Sequence, residues 1–268
     1  MFSKQNISNN LNKVRQNKPL VHHITNQVTI SECANITLCF GALPVMAHSL
    51  EEVADMVALA GSLVLNIGTL TPTQVQAMIK AGKRANQLNI PVILDPVGAG
   101  ATELRTKSAL NILSEVKVSI LKGNAAEIAV LAGLDAVVRG VEAAEVEGNL
   151  VEGAKLLAEK YDLVVAATGV EDLVTDGKRL AWVENGHPLM GRVVGTGCMG
   201  ASVVGVFAAV ESDYFLATLS ALTCFGIAGE LAAGEGRLGP GTFKTNLFDS
   251  AALLTAEQVE KLSKIRMV

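Results

Sequence analysis

Residues 63–74 read LVLNIGTLTPTQ and residues 91–102 read PVILDPVGAGAT. Each stretch opens on a short aliphatic run of strand length, and each run stops at a residue that packing does not demand, Gly68 in one and Asp95 in the other. Between the runs, Thr71-Pro72-Thr73-Gln74 has a threonine cap and a proline at the first helical position, which opens a helix. Buried strand, helix and buried strand in succession are the unit of a parallel sheet. The expectation is an α/β fold with a central, mostly parallel sheet.

The same alternation continues outward. Upstream, residues 5–17 form a helical pattern with Ile7, Leu11 and Val14 on one face, and 20–24 can be a strand. A small-residue helix over about 29–40 is closed by Gly41, and 43–46 is a short extended piece. Ser49-Leu50-Glu51-Glu52 reads as a capping box opening a helix that carries Val53, Met56, Val57 and Ala60. Downstream, a helix runs through Ala109 and Leu113, followed by a strand at 118–121 and a helix around 127–132. Residues 135–149 are acidic and glycine-containing and read as a surface loop before a helix at 151–160. A strand at 163–167 is followed by a hairpin over 172–183 that turns at Asp176-Gly177. Apolar helices are expected from about Cys198 and over 215–233, and Thr255-Ala256-Glu257-Gln258 caps a last helix. No linker or internal repeat divides the chain, so residues 1–268 are expected to form one domain.

Composition narrows the function. Half of the 268 residues are apolar, 18% are charged and 25 are glycine, which fits buried strands joined to helices by tight turns. A net charge of -4 without a basic stripe argues against nucleic acid as a partner. A nucleotide remains compatible, because backbone N–H groups hold phosphate on an acidic protein. The opening twenty residues lack the apolar segment of an export signal, so a cytoplasmic location is expected. The run from Phe215 to Ala233 has the length of a membrane span. Its Thr218, Ser220, Thr223 and Glu230 favour a buried core helix, and no membrane is expected as a partner. Cys33, Cys39, Cys198 and Cys224 form no CxxC pair, and the four histidines have no metal-ligand spacing.

The chemistry-bearing residues sit where strands stop: Gly68, Asp95, Lys122-Gly123-Asn124 and Thr168-Gly169. In open parallel sheets the ligand lies at the carboxyl ends of the strands, so these residues should line one edge. Gly195-Thr196-Gly197-Cys198 precedes an apolar helix whose free N–H groups point back at the turn. Such a turn is either an anion hole for a phosphoryl group or a helix start packed tightly on a strand. It is no Walker loop, since no GKS or GKT follows. The letters Gly195-x-Gly197-x-x-Gly200 match a dinucleotide fingerprint, but no acidic residue ends a strand about 20 positions later. Asn124-Ala125-Ala126-Glu127 is either a capping box or the position of a carboxylate that holds Mg²⁺ through water. Asp95, before Pro96, is either a turn starter or a second acidic group for a metal–nucleotide complex.

Taken together, the segments HHITNQV (22–28), GALPVMAHSLEEV (41–53), LVLNIGTL (63–70), PVILDPVGAGAT (91–102), LKGNAAEI (121–128), ATG (167–169) and VVGTGCMGASVVG (193–205) resemble the ribokinase-like superfamily. Within it they resemble the hydroxyethylthiazole kinase family of thiamin salvage, over nearly the whole chain. The resemblance implies a single ribokinase-like αβα domain. It also implies transfer of the γ-phosphoryl group of ATP to the hydroxyl of 4-methyl-5-(2-hydroxyethyl)thiazole, with Mg²⁺. It further implies a homotrimer with substrate pockets at subunit interfaces. Carried over by position, Lys122 and Thr168 match nucleotide contacts, Asp95 and Glu127 the acidic Mg²⁺–phosphate positions, and Met46, Gly195 and Asn26 the thiazole pocket. The turn from Gly195 through Gly197 to Cys198 matches the superfamily's anion hole.

Cys198 departs from the superfamily, which places aspartate there as the base for the substrate hydroxyl; the thiazole kinase branch often has cysteine. An ordinary thiol, with a pKa of about 8.5, is mostly protonated at neutral pH. A loose, metaphosphate-like transition state needs little help from a base. Cys198 is therefore expected to act as a weak base or as a positioning group.

Overall fold

The computed structural model describes residues 3–134, 143–234 and 238–268. In chain order its elements are α1 (Lys4–Asn17), β1 (Leu20–Ile24), α2 (Ile30–Cys39), β2 (Leu43–Met46), α3 (Val53–Val57), β3 (Ser62–Asn66), α4 (Pro72–Gln87), β4 (Val92–Asp95), α5 (Glu103–Glu115), β5 (Ile120–Asn124) and α6 (Ala125–Leu131). They continue as α7 (Ala143–Tyr161), β6 (Val164–Thr168), β7 (Asp172–Thr175), β8 (Leu180–Val183), a 3-10 turn (Pro188–Arg192), α8 (Thr196–Ala208), α9 (Tyr214–Ala233), α10 (Pro240–Leu253), α11 (Ala256–Leu262) and β9 (Ile265–Met267).

The aliphatic runs are continuous because the sheet is covered on both faces. Val64, Ile93 and Ile120 join one core with α1, α2, α8, α9 and α10, through Leu11, Phe40, Phe207, Leu219 and Phe243. Leu63, Leu65, Leu94 and Leu121 join the other, with α4 and α5, through Met78 and Ile112. The result is the expected αβα arrangement. The sheet has nine strands in the order β2-β1-β3-β4-β5-β6-β7-β8-β9. Pairings from β2 to β6 are parallel, and β6 to β9 are antiparallel.

The order β2-β1-β3 creates the crevice that matters for function. The helix leaving β1, α2, packs on the first face through Ile36, whereas α4, leaving β3, packs on the second through Met78. The chain thus departs from two adjacent strands to opposite sides, and their carboxyl ends are left open. The register brings the strand ends level, with Asn66 beside Asp95 and Asn124 beside Thr168.

Several boundaries differ from the sequence expectation. The capping box at Ser49 does not form: its hydroxyl donates to the Glu51 carboxylate, and α3 starts at Val53 without a side-chain cap and ends at Val57. The helix expected from about Cys198 starts at Thr196, because Gly195 with φ +95° is its cap. Of the loop expected over 135–149, residues 135–142 lie outside the described residues, and α7 already begins at Ala143. α10 and β9 carry no strong sequence signal; β9 pairs with β8 through Trp182 and Arg266. α9 has the length and composition of a membrane span, but most of it is buried inside the protein, which explains why it is apolar all round.

Candidate active site

The site is built at the carboxyl end of the sheet around the start of α8. Thr196 holds that start in place through its hydroxyl, which donates to Met190 O at 2.8 Å. The first helical bond runs from Met199 N to Gly195 O at 2.8 Å, so the N–H groups of Thr196, Gly197 and Cys198 have no acceptor within the helix. Three amides at the positive end of a helix are a site for anionic oxygens. A side chain at Gly195 would put its Cβ 2.6 Å from Thr29 Cγ2, so both conformation and space require glycine there.

Lys122 comes up from β5 and is 3% exposed. Its ammonium donates to Gly197 O at 3.0 Å and lines a cavity of about 550 Å³ with Thr168, Asp172, Asn185, Leu222 and Phe225. Thr168 donates to Gly123 O at 3.2 Å across the β5–β6 pairing. The cavity has a charged, amide-rich end at α8 and an apolar end on α9, the lining a nucleotide requires. Burial pushes the Asp172 carboxyl up to about 6, opposed by the Gly169 N–H that it accepts at 3.0 Å and by the charge of Lys122.

The acidic pair lies beside this cavity. Asp95 is buried at 2% exposure and accepts from Asn66 Nδ2 at 2.6 Å. Burial pushes its carboxyl up to about 7, Lys122 opposes that shift, and Glu127 adds to it. Glu127 forms the capping box with Asn124: its Oε2 accepts Asn124 N at 2.8 Å, and Asn124 Oδ1 accepts Glu127 N at 2.9 Å. Its Oε1 accepts Gly98 N at 2.7 Å, which ties down the loop that follows Asp95. Among the described residues no three His, Cys, Asp or Glu side chains form a metal cage. Two carboxylates without a cage fit Mg²⁺ that arrives with phosphates and keeps most of its water.

Asn26 is 3% exposed and reaches Cys198, its Nδ2 donating to Cys198 Sγ at 3.3 Å. Met46 is half-buried at the end of edge strand β2, level with His23. The structure therefore joins Lys122 to Gly197, Asn26 to Cys198, and Asp95 electrostatically to Lys122 and Glu127. It leaves Met46 on the sheet's outer edge, apart from that cluster. Sequence reasoning passed over Asn66 and Asp172. Asn66 was hidden inside an aliphatic strand, where a lone amide is itself the signal, since a buried amide requires partners. Asp172 read only as the start of a hairpin.

Residues 11–257 match the hydroxyethylthiazole kinase family. The chain is 60% identical over 253 residues to the hydroxyethylthiazole kinase of Thermoanaerobacter pseudethanolicus, covering 94% of this chain and 96% of that one. A solved hydroxyethylthiazole kinase from Pyrococcus horikoshii superposes with a TM-score of 0.89 at 43% identity, over 98% of each chain. A pyridoxal kinase from Staphylococcus aureus shares the fold at a TM-score of 0.62 and 12% identity, over 94% of this chain and 98% of that one.

Proposed function

The chain belongs to the hydroxyethylthiazole kinase family, and from that premise we propose how its residues transfer the γ-phosphoryl group of ATP to the hydroxyl of 4-methyl-5-(2-hydroxyethyl)thiazole. The enzyme is a phosphotransferase of thiamin salvage. We assign residues 1–268 to one kinase domain acting in the cytoplasm.

ATP occupies the cavity between Lys122, Thr168 and α9, its base toward Leu222 and Phe225 and its phosphates toward α8. The alcohol oxygen attacks the γ-phosphorus, the bond to the β-phosphate oxygen breaks, and ADP leaves. Charge accumulating on the γ-oxygens meets the N–H groups of Gly197 and Cys198 and the Lys122 ammonium, all in place before reaction. The hydroxyl proton passes to the thiolate form of Cys198 or to an oxygen of the transferred phosphoryl group, and the sulfur mainly fixes the alcohol oxygen's position. Asp95 and Glu127 are the residues that would hold Mg²⁺, and the ion when bound would supply neutralisation of the phosphate charge. A carboxyl that burial and the neighbouring Glu127 push up to about 7, against the pull of Lys122, gains from a cation, which supports this role for Asp95.

The thiazole ring lies against Asn26, Gly195 and Met46. Met46 stands on the edge strand beside exposed Leu43, and exposed Val28 and Val194 flank the crevice. That open apolar rim supports a homotrimer in which a neighbouring subunit completes each pocket. No nucleic acid and no membrane takes part.

The observation that carries the reading is the union of three amides at the start of α8 with the buried Lys122. Purified protein incubated with ATP, Mg²⁺ and the thiazole alcohol should yield ADP and the thiazole phosphate by mass spectrometry. Phosphorylation of hydroxymethylpyrimidine but not of the thiazole alcohol would refute it.

A further inference from the structure

We propose that the buried pair Asn66 and Asn26 is a positioning device for Cys198, holding an N–H donor on its sulfur and linking that donor to the Asp95 carboxylate. The inference rests on the thiazole kinase reading above, and it gives Asn26 a task other than contacting the thiazole.

The contacts form one line through the crevice between β1 and β3. Asp95 Oδ2 accepts from Asn66 Nδ2 at 2.6 Å, and Asn66 Oδ1 accepts from Asn26 Nδ2 at 2.9 Å. Asn26 Nδ2 spends its second hydrogen on Cys198 Sγ at 3.3 Å. Neither amide is more than 3% exposed, so water cannot replace these partners freely.

An amide can be turned over without changing shape, so its direction must come from its partners. At Asn66 the backbone N–H of Gly68 donates to Oδ1 at 3.0 Å, which keeps the oxygen on that side and the NH₂ group toward Asp95. At Asn26 three donors converge on Oδ1: Val28 N at 3.0 Å, Thr29 N at 3.0 Å and Thr29 Oγ1 at 3.1 Å. Reversing either amide would set N–H against N–H at a backbone group that cannot turn. Reversing Asn66 would also set its oxygen against the Asp95 carboxylate. Every constraint selects the same direction, and the outcome is a donor aimed at sulfur. Gly68 protects the arrangement, since a Cβ there would lie 2.7 Å from Asn26 Cβ.

A fully engaged Asn26 has no hydrogen left for a substrate. Its oxygen carries three donors and its nitrogen two acceptors, so the side chain is a fixture. A sulfur that accepts from this fixture is held in one rotamer, with a donor that favours the charged sulfur able to receive the alcohol proton. Because the far end of the line is Asp95, the same fixture sets the sulfur's place relative to the acidic pair.

The test uses Asn26→Ala, Asn66→Ala and the double variant, with alkylation of Cys198 by iodoacetamide at pH 7 followed by mass spectrometry of its peptide. Half-buried Cys39 is the internal control. Asn26→Ala should slow Cys198 alkylation about fivefold, the worth of roughly one hydrogen bond. Asn66→Ala should slow it less, and the double variant should match Asn26→Ala, because the two act in series. Turnover should fall in kcat in each variant; Asn66→Ala, one residue removed from the thiazole, should lower kcat with KM for the alcohol within about twofold of wild type. If an alanine variant does not fold, serine at the same position, too short to bridge two partners, replaces it. Unchanged alkylation in folded variants, strictly additive effects, or a raised KM with kcat intact would overturn the proposal. Alkylation needs no turnover. Failure of the wild type to phosphorylate the thiazole alcohol would therefore refute the functional reading separately from this one.

Discussion

Lys122 Nζ donates to the carbonyl oxygen of Gly197 at 3.0 Å, so a buried cation from β5 is fastened to the first turn of α8. One charge thereby serves two tasks. It adds to the positive end of the helix where phosphate oxygens are expected, and it compensates Asp95 and Asp172, whose carboxyls it holds down against burial.

Lys122→Met keeps the aliphatic stem and removes the charge. It should cost about 100-fold or more in kcat, the usual scale for losing one preorganised electrostatic group. Steady-state kinetics with a melting curve for the fold would check it. Activity within a few-fold of wild type would contradict the placement of the phosphates.

Cys198→Asp should retain or improve turnover. The new carboxylate accepts the same Asn26 N–H that the sulfur now takes at 3.3 Å, and at neutral pH it is wholly ionised, where an ordinary thiol is mostly protonated. Near-complete loss of activity in a folded variant would count against a weak-base or positioning role.

Asp95 makes the free enzyme's stability fall with pH. Its carboxyl is raised to about 7 in the fold, against an ordinary value near 3.8. Between those values the folded protein holds a proton that the unfolded chain has released, so the stability present below about pH 4 is lost as pH rises through 7. Asp95→Asn has no charge to bury. Without ligands it should melt on the order of 5 °C above wild type at pH 8 and about level with it at pH 4. An equal difference at both pH values in calorimetry would refute the argument.

Gly195→Ala meets two obstacles, φ of +95° and Thr29 Cγ2 at 2.6 Å from the new Cβ. Left-handed strain alone costs about 1–3 kcal/mol. A Tm drop of several degrees is expected, with a larger fall in kcat because the cap that aims the three amides is displaced. A fall in Tm with undiminished kcat would show that the amides are not used.

The aliphatic runs and their strand-end residues were enough to read the fold class, because a strand buried on both faces must be continuously apolar and any break in it is informative. Lys122, Thr168, Asp95 and Glu127 were legible for that reason, and the resemblance gave them roles. Asn66 failed the same reading: its run LVLNI stays apolar on both sides, and nothing local says what its amide touches. α10 was missed because it is weakly patterned and is held by Phe243 and Leu247 in a core made elsewhere. Ser49 misled because its hydroxyl found Glu51 before it could cap a backbone N–H.

The sequence by itself determined the α/β class, the order of most strands and helices along the chain, and the kinase family, all of which rest on local pattern and motif. Only the tertiary structure decided which strand ends meet, that Lys122 closes on Gly197, and that Asn66 and Asn26 run from Asp95 to Cys198. Those contacts join residues 75, 29, 40 and 172 positions apart. Their geometry depends on strand register and on the direction of buried amides, which are settled by partners brought together only when the sheet has formed.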